Sequence, residues 1–421
     1  MTKTIHTGWE KTKIGDIADP GEKWSFTGGP FGSNLKSSDY TPNGIRIIQL
    51  QNIGDGQFNN KNKIYTSIKK ADELKSCNIY PGEIILSKMG DPVARACLIP
   101  ESEQRFLMAS DGIRLLPDLK KYNVYFIFLA INSNYFRISA ENASTGSTRK
   151  RIGLSVLRKL IILTPPLPEQ NRIVEVLETW NKVLEKLNQK IKLKKNIKKG
   201  LMQKLLNGKV RLSGFSGKWQ VVKLGNLCEI SRGGSPRPIQ NFLTNNLDGL
   251  NWLKIGDIEK GAKFITKTGS KIKKEGLKKT TEVNSGDFIL SNSMSFGRPY
   301  IMKIKACIHD GWLAFKNIKT DYDSTFLYYK LITEEVQNNF LSISAGSGVQ
   351  NLKKETVAEV EIKCPSIEEQ TAIAKILTTA DDEITALERK RNILEDQKKY
   401  LLNNLITGQI RTPENLTLPT K

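Results

Sequence analysis

The chain is poor in the side chains that most often carry chemistry. Its 421 residues include two histidines, His6 and His309, and five cysteines, Cys77, Cys97, Cys228, Cys307 and Cys364. The cysteines are odd in number and far apart. That argues against a disulfide framework and suits a reducing compartment, so a cytoplasmic location is expected. With no paired-cysteine motif beside the histidines, no metal site is expected. No apolar run reaches the ~20 residues of a membrane span. The opening "MTKTIHTGWEKTK" lacks the apolar core of a secretory signal. The phosphate-loop pattern G-x-x-x-x-G-K-[ST] does not occur, so nothing points to an ATP-driven motor. Nor does an Asn-Pro-Pro-aromatic methyltransferase motif or a convincing cluster of metal-binding carboxylates. The acids of "GDGQF" and "GDIEKG" fit turns between strands.

Acidic residues are also in deficit. Sixty-five Lys and Arg stand against 43 Asp and Glu, a formal charge of +22. An excess of this size favours a polyanionic partner. The length predicts two or three globular units, and 38% hydrophobic residues can fill their cores.

What is present is a repeat. "PLPEQNRIVEVLETWNKVLEKLNQKIKL" begins at Pro166 and "PSIEEQTAIAKILTTADDEITALERKRNIL" at Pro365. Shifted by 200 residues, Glu169-Gln170 falls on Glu369-Gln370, Ile173 on Ile373, Leu205 on Leu405, Gly208 on Gly408 and Arg211 on Arg411. Upstream, "WEKTKIGDI" echoes "WQVVKLGNL", "GEIILS" echoes "GDFILS", "SDG" at Ser110 echoes "HDG" at His309, and "TGSTRKRI" echoes "AGSGVQNL". Positions 173, 177, 180, 184, 187, 191, 194, 198, 201 and 205, and their counterparts 200 residues on, step by four and three, the seam of a coiled coil. Lys194, Lys198, Arg391 and Lys398 interrupt it, which predicts a seam loosened at the same place on both helices. Ser366 and Glu369 have capping-box spacing. Gly208 and Gly408 have the position of left-handed C-terminal glycines. Each helix is then about 38 residues and ~57 Å long.

The short apolar runs "IRIIQLQNI", "GEIILSKM" and "LNWLKIGDI" read as strands. "YNVYFIFLAINS" and "STFLYYKLITEEVQNNF" read as buried helices. The expected fold is α+β: two similar mixed α/β globular modules separated by a long antiparallel two-helix coiled coil, with a pseudo-twofold internal repeat. The expected boundaries are 1–165 for the first module, 166–212 for the first spacer helix, 213–364 for the second module, 365–412 for the second spacer helix and 413–421 for a C-terminal tail. Two similar basic modules on a rigid spacer match a two-part DNA site, whose half-sites lie about a helical turn, ~34 Å, apart.

Comparing the copies separates scaffold from reader, since polar loop positions that differ are the ones able to read different bases. Gln49 and Gln51 stand opposite Lys254 and Gly256. Lys88 and Met89 stand opposite Asn292 and Ser293. After Ser147 come Arg149, Lys150 and Arg151, opposite Val349, Gln350 and Asn351 after Ser347. Arg232 and Arg237 sit on the Gly/Pro-rich "SRGGSPRP". Arg and Lys can bond guanine O6 and N7, and Asn and Gln can bond adenine N6 and N7. Apart from Met89, Gly256 and Val349, each of these residues is a candidate DNA contact, and a solvated or phosphate-facing role is the plainer alternative for any one of them. The lysines of "KIKLKKNIKK" (190–199) fit a solvated helix face or a track for the DNA backbone.

"TGSTRKRIGLSVLRKLIILTPPLPEQ" and "AGSGVQNLKKETVAEVEIKCPSIEEQ" resemble the Gly-Ser loop, proline-Glu-Gln and long-helix pattern of type I restriction–modification specificity subunits. The second copy departs from it, with no proline directly before Glu369 where the first has Pro168 before Glu169. The resemblance spans nearly the whole chain. It implies two target recognition domains and a non-catalytic subunit that confers specificity on double-stranded DNA. It also implies assembly with two DNA methyltransferase subunits and with motor–nuclease subunits. No cofactor is then bound by this chain, and S-adenosylmethionine, ATP and Mg²⁺ belong to the partners. A specificity subunit for a motor-less bipartite methyltransferase–nuclease shares this layout. A coiled-coil scaffold whose basic modules bind RNA or protein is the alternative from another class.

Overall fold

The computed structural model describes residues 8–147, 149–259, 261–292, 296–344 and 351–416. The chain divides into two compact units, Met1–Leu187 with Lys390–Lys421, and Asn188–Arg389. The division falls inside the long helices rather than at their ends, so each unit holds one module and half of each helix.

In the first unit, strands Phe26–Gly28, Gly112–Leu115, Ile84–Ser87 and Ala96–Leu98 form one sheet in that order. Tyr40–Thr41, Ile64–Thr66, Ile45–Ile48, Phe106–Met108 and Asn78–Ile79 form a second. Its one parallel pairing joins Ile45–Ile48 to Phe106–Met108. Ile84–Ser87 is buried at all four positions, as a strand covered on both faces must be. The helix Val124–Ile131 packs against this sheet through Phe126, Ile127 and Ile131. It starts where Asn123 accepts from the N–H groups of Tyr125 and Phe126.

The second unit repeats this plan. Strands Glu229–Arg232, Trp312–Lys316, Phe288–Ser291 and Pro299–Met302 form the first sheet, with Phe264–Ile265 added at its edge. Leu243–Thr244, Ser270–Ile272, Leu250–Leu253, Ala306–Ile308 and Thr281–Val283 form the second. The run from Ser324 is two helices, Ser324–Leu331 and Glu334–Ser344. The register also refines the repeat. Ser87 faces Gly112 and Ser291 faces Trp312, so Asp111 corresponds to Gly311 and Ser110 to Asp310. The "SDG" and "HDG" triplets therefore match one residue out of step.

The long helices are Leu167–Leu205, of 39 residues, and Ile367–Ile406, of 40. In the first unit Ile173, Val174 and Leu177 pack with Leu405 and Ile406. In the second, Leu205 and Leu206 pack with Ile373, Ala374 and Leu377. Early turns of one helix meet late turns of the other in both units, so the pair is antiparallel. All twenty seam positions are buried or half-buried. No helix among the described residues is long and apolar enough to cross a membrane.

The repeated Glu-Gln pair has two separate tasks. Gln170 accepts from the Asn123 N–H at 2.9 Å and donates to the Pro165 carbonyl at 2.8 Å. Gln370 does the same with Asp323, at 3.0 Å, and Pro365, at 2.9 Å. The glutamine thus ties each module's helix to the start of a long helix. The glutamate receives an arginine from beyond the end of the opposite helix, Arg411 on Glu169 and Arg211 on Glu369.

That second task overturns the capping box expected at Ser366. Glu369 is instead committed to Arg211. At the neighbouring Glu368, its own backbone N–H and the Ser366 hydroxyl hold the carboxyl below its usual range. The expected single loosened stretch of seam is also corrected. Lys194 and Lys198 lie in one unit, Arg391 and Lys398 in the other. An antiparallel pair carries equal positions to opposite ends.

Candidate nucleic-acid interface

In the first module the candidate readers converge on the turn at Ser110-Asp111. Lys88 leaves the end of the Ile84–Ser87 strand. Its backbone N–H donates to the Asp111 carbonyl at 2.7 Å and its Nζ to the Ser110 carbonyl at 2.7 Å. Gly28 makes room for it, because a Cβ there would lie 2.9 Å from Nζ. Burial pulls the Lys88 amine below the ordinary lysine range; Asp111 opposes this and Arg151 reinforces it. Arg151 reaches Asp111 at 3.5 Å and the Met89 sulfur at 3.9 Å. The 145–151 loop closes where Thr145 and Arg151 exchange backbone hydrogen bonds of 2.9 and 2.8 Å. It presents Ser147 and Arg149 to solvent, while Lys150 pairs with Glu141.

Gln49 opens the short helical turn Leu50–Asn52, whose Asn52 side chain accepts from the Gln49 N–H at 2.9 Å. The amides then form a chain. Gln51 Nε2 donates to Gln49 Oε1 at 3.0 Å, and Gln49 Nε2 donates to the Tyr40 hydroxyl at 3.4 Å. Gln49, Gln51, Ser110 and Asp111 line one cavity of about 310 Å³.

The second module builds the same frame from other residues. Lys254 opens the turn Ile255–Asp257, and the Asp257 carboxylate accepts from its N–H at 2.9 Å. Asn292 follows the Phe288–Ser291 strand as Lys88 follows its own. Its N–H donates to the Gly311 carbonyl at 3.0 Å and its Nδ2 to the Asp310 carbonyl at 3.0 Å. Arg232 occupies the place of Gly28 and donates from Nε to that same Asp310 carbonyl at 3.2 Å. The Asp310 carboxylate accepts from Ser235 at 3.0 Å and pairs with Arg237 at 3.5 Å. The Leu352 N–H donates to the Asn292 carbonyl at 3.2 Å, as Ile152 does to Lys88 at 2.8 Å, which sets half-buried Asn351 opposite Arg151.

Gln49, Gln51, Lys88 and Arg151 are thus brought together in one module, and Arg232, Arg237 and Asn292 in the other. Ser293, Ser347 and Gln350 lie outside the described residues. Lys88, Asn292 and Arg232 each spend part of their donor capacity on a backbone carbonyl. Tyr40, Ser110, Ser235 and the two aspartates were not singled out from sequence. The recurring Asp-Gly beside each basic loop was the available signal.

The lysine run has a structural use. Lys194, Lys195 and Lys198 pair with Glu383, Glu388 and Asp381, the first two at 2.7 Å. Lys190 and Lys192 are exposed. Among the described residues, no group of three or more His, Cys, Asp or Glu side chains is placed to hold a metal ion.

The two halves also match one protein family separately. The profile described as the type I restriction modification DNA specificity domain matches residues 6–195 and again 216–396. The chain belongs to this family. It is a DNA-sequence-specificity subunit of a restriction–modification system. It is similar to the putative type I restriction enzyme MjaX specificity subunit of Methanocaldococcus jannaschii, with 25% identity over 390 residues, covering 87% of this chain and 88% of the relative. The MjaVIII specificity subunit of the same organism is 25% identical over 354 residues, covering 78% of this chain and 76% of the relative. Among solved structures, the HsdS subunit from Thermoanaerobacter tengcongensis aligns over 97% of this chain and 99% of its own, with a TM-score of 0.55 and 18% identity. A structure concerned with complex assembly and conformational transition of the type I R-M system aligns over 97% and 100%, with a TM-score of 0.63 and 18% identity. These structural likenesses bear on the fold.

Proposed function

We propose that each module reads one half of a bipartite, asymmetric target in double-stranded DNA. The long helices set the gap between the halves and dock two DNA methyltransferase subunits, and motor–nuclease subunits join the full complex. The chain itself is non-catalytic and works in the cytoplasm. S-adenosylmethionine, ATP and Mg²⁺ are held by the partners.

One observation carries this reading. The backbone bonds that hold Lys88 and Ile152 recur at Asn292 and Leu352, and the side-chain closure of the turn after Gln49 recurs after Lys254, yet the side chains mounted on this frame differ. Gln49 is replaced by Lys254, Gln51 by Gly256, Lys88 by Asn292 and Arg151 by Asn351. Matching frames give both modules one mode of docking, and unlike side chains give them unlike sequences to read. Ser147, Arg149 and Lys150 in the first module, and Arg232, Arg237, Ser293, Ser347 and Gln350 in the second, add phosphate or base contacts.

The test is a module exchange. Residues 1–165 are replaced by those of another family member, the chain is assembled with the methyltransferase encoded beside it, and methylated sites are mapped. One half-site should change while the other half and the gap stay. A change in both halves would overturn the proposal. Purified chain incubated with duplex DNA and Mg²⁺ should leave it uncut.

A further inference from the structure

We infer that Phe31 is a specificity-determining contact of the first module, packing on the methyl group of a thymine in the major groove, at an A·T pair whose adenine is read by Gln51. This rests on the reading of that module as a half-site reader.

Phe31 is 83% exposed, which is far from the usual place of a phenylalanine. It is nevertheless held firmly. The Gly29 N–H donates to the Gly112 carbonyl at 2.8 Å. A Cβ on Gly29 would lie 1.8 Å from the Ala109 carbonyl oxygen, so only glycine allows this approach. Beyond Phe31, the Asn34 N–H donates to the Phe31 carbonyl at 2.9 Å, and Leu35 is buried. The loop is therefore pinned on both sides of a ring that faces water.

The ring borders the 310 Å³ cavity whose other walls include Gln49, Gln51, Ser110 and Asp111. Gln51 gives one amide hydrogen to Gln49, which leaves its second N–H and its oxygen as a donor and acceptor side by side. That pair matches adenine N6 and N7. On the same major-groove edge, the thymine paired with that adenine carries a C5-methyl group, for which an apolar side chain is the complement. Lys88 and Arg151, around the same turn, supply positive charge toward the backbone. The ring shares its cavity with the side-chain amides of Gln49 and Gln51, the polar groups that base reading requires.

The test uses the complex of this chain with its methyltransferase subunits and duplexes carrying the mapped target. Each thymine of the first half-site is replaced in turn by uracil, which removes only the methyl group. For the native chain, one position should weaken binding about fourfold, the value of one buried methyl-sized group. Phe31→Ala should bind native target several-fold more weakly and be indifferent to uracil at that position. Gln51→Ala should lose discrimination at the same base pair. A first half-site without thymine, no uracil effect, or an equal effect in Phe31→Ala would each overturn the inference. So would a Phe31-dependent rise in fluorescence of 2-aminopurine beside the thymine, which marks a ring wedged between bases. Failure of the underlying reading looks different, because the unaltered complex would then show no dependence on the first half-site.

Discussion

Arg411 and Glu169 lie 242 positions apart in sequence and join through two hydrogen bonds of 2.6 and 2.7 Å. The Arg411 guanidinium also stands 5.9 Å from the centre of the Trp9 ring, whose indole N–H reaches Glu169 at 3.3 Å. The second unit repeats the arrangement with Arg211, Glu369 and Trp219, at 2.7 and 2.6 Å for the hydrogen bonds and 5.9 Å to the ring. Each clasp joins the start of one long helix, the segment after the other and the first strand region of a module. Gly208 and Gly408, both at φ 71°, turn the chain toward these clasps, and a Cβ on either would press on the tryptophan at 3.3–3.4 Å.

The clasp should fail asymmetrically. Glu169 is 3% exposed and Arg411 is 41% exposed. Arg411→Met leaves a buried carboxylate with the indole as its remaining partner, and should cost about 2 kcal/mol, allowing for the arginine's exposure. Glu169→Gln leaves a cation that water can reach, and should cost about half as much. Thermal unfolding of the two variants checks the order. Equal losses would refute the asymmetry.

In the second unit Lys263 sits 3.6 Å from Asp381 and donates to the Tyr329 hydroxyl at 3.0 Å. Burial lowers its pKa. Asp381 opposes that by charge and hydrogen bond, Lys198 reinforces it, and Asp382 opposes it weakly. The charged amine is therefore disfavoured in the folded state at pH 7, and the penalty fades as pH rises through the lowered folded pKa toward 10.5. Asp381→Asn removes the main support, so its stability deficit should be largest near neutrality and shrink toward pH 10. Denaturant unfolding at several pH values measures this. A deficit independent of pH would rule it out.

Adding one heptad to each long helix, at positions that pair, keeps the seam and lengthens the spacer by about 10 Å. The non-specific gap should grow by about three base pairs at ~3.4 Å each. The half-sites should be unchanged. Methylation mapping reads the result, and an unaltered gap would defeat the idea that the helices set it.

Arg149 is exposed at the tip of its loop. Arg149→Ala should weaken binding across all sequences and reduce the slope of log affinity against log salt by about one. A salt titration decides this, and an unchanged slope would remove Arg149 from the phosphate contacts.

Much of the architecture could be read along the chain because it is written in periodicity. The four-and-three spacing from Ile173 to Leu205 and from Ile373 to Leu405 reports helices whose burial repeats locally. A 200-residue shift reports duplication without any coordinates. The role of Glu369 could not be read that way. Three residues from Ser366 it resembles a local cap, and only the approach of Arg211 from the opposite helix claims it. The one-residue slip between "SDG" and "HDG" was hidden for the same reason, since strand register is set by partners far away in sequence.

The candidate site divides along the same line. Composition and loop position marked Gln49, Lys88 and Arg151, because side-chain chemistry is a property of each residue. The convergence on the Ser110-Asp111 turn, the replacement of Gly28 by Arg232 around one carbonyl and the exposure of Phe31 were decided only by the fold. Sequence by itself determined two alike modules, two seamed helices and a basic surface, since each depends on residue type and spacing. Tertiary structure decided which donors are spent on backbone carbonyls and which face outward, since that depends on atoms brought within hydrogen-bonding distance by chain segments remote from one another.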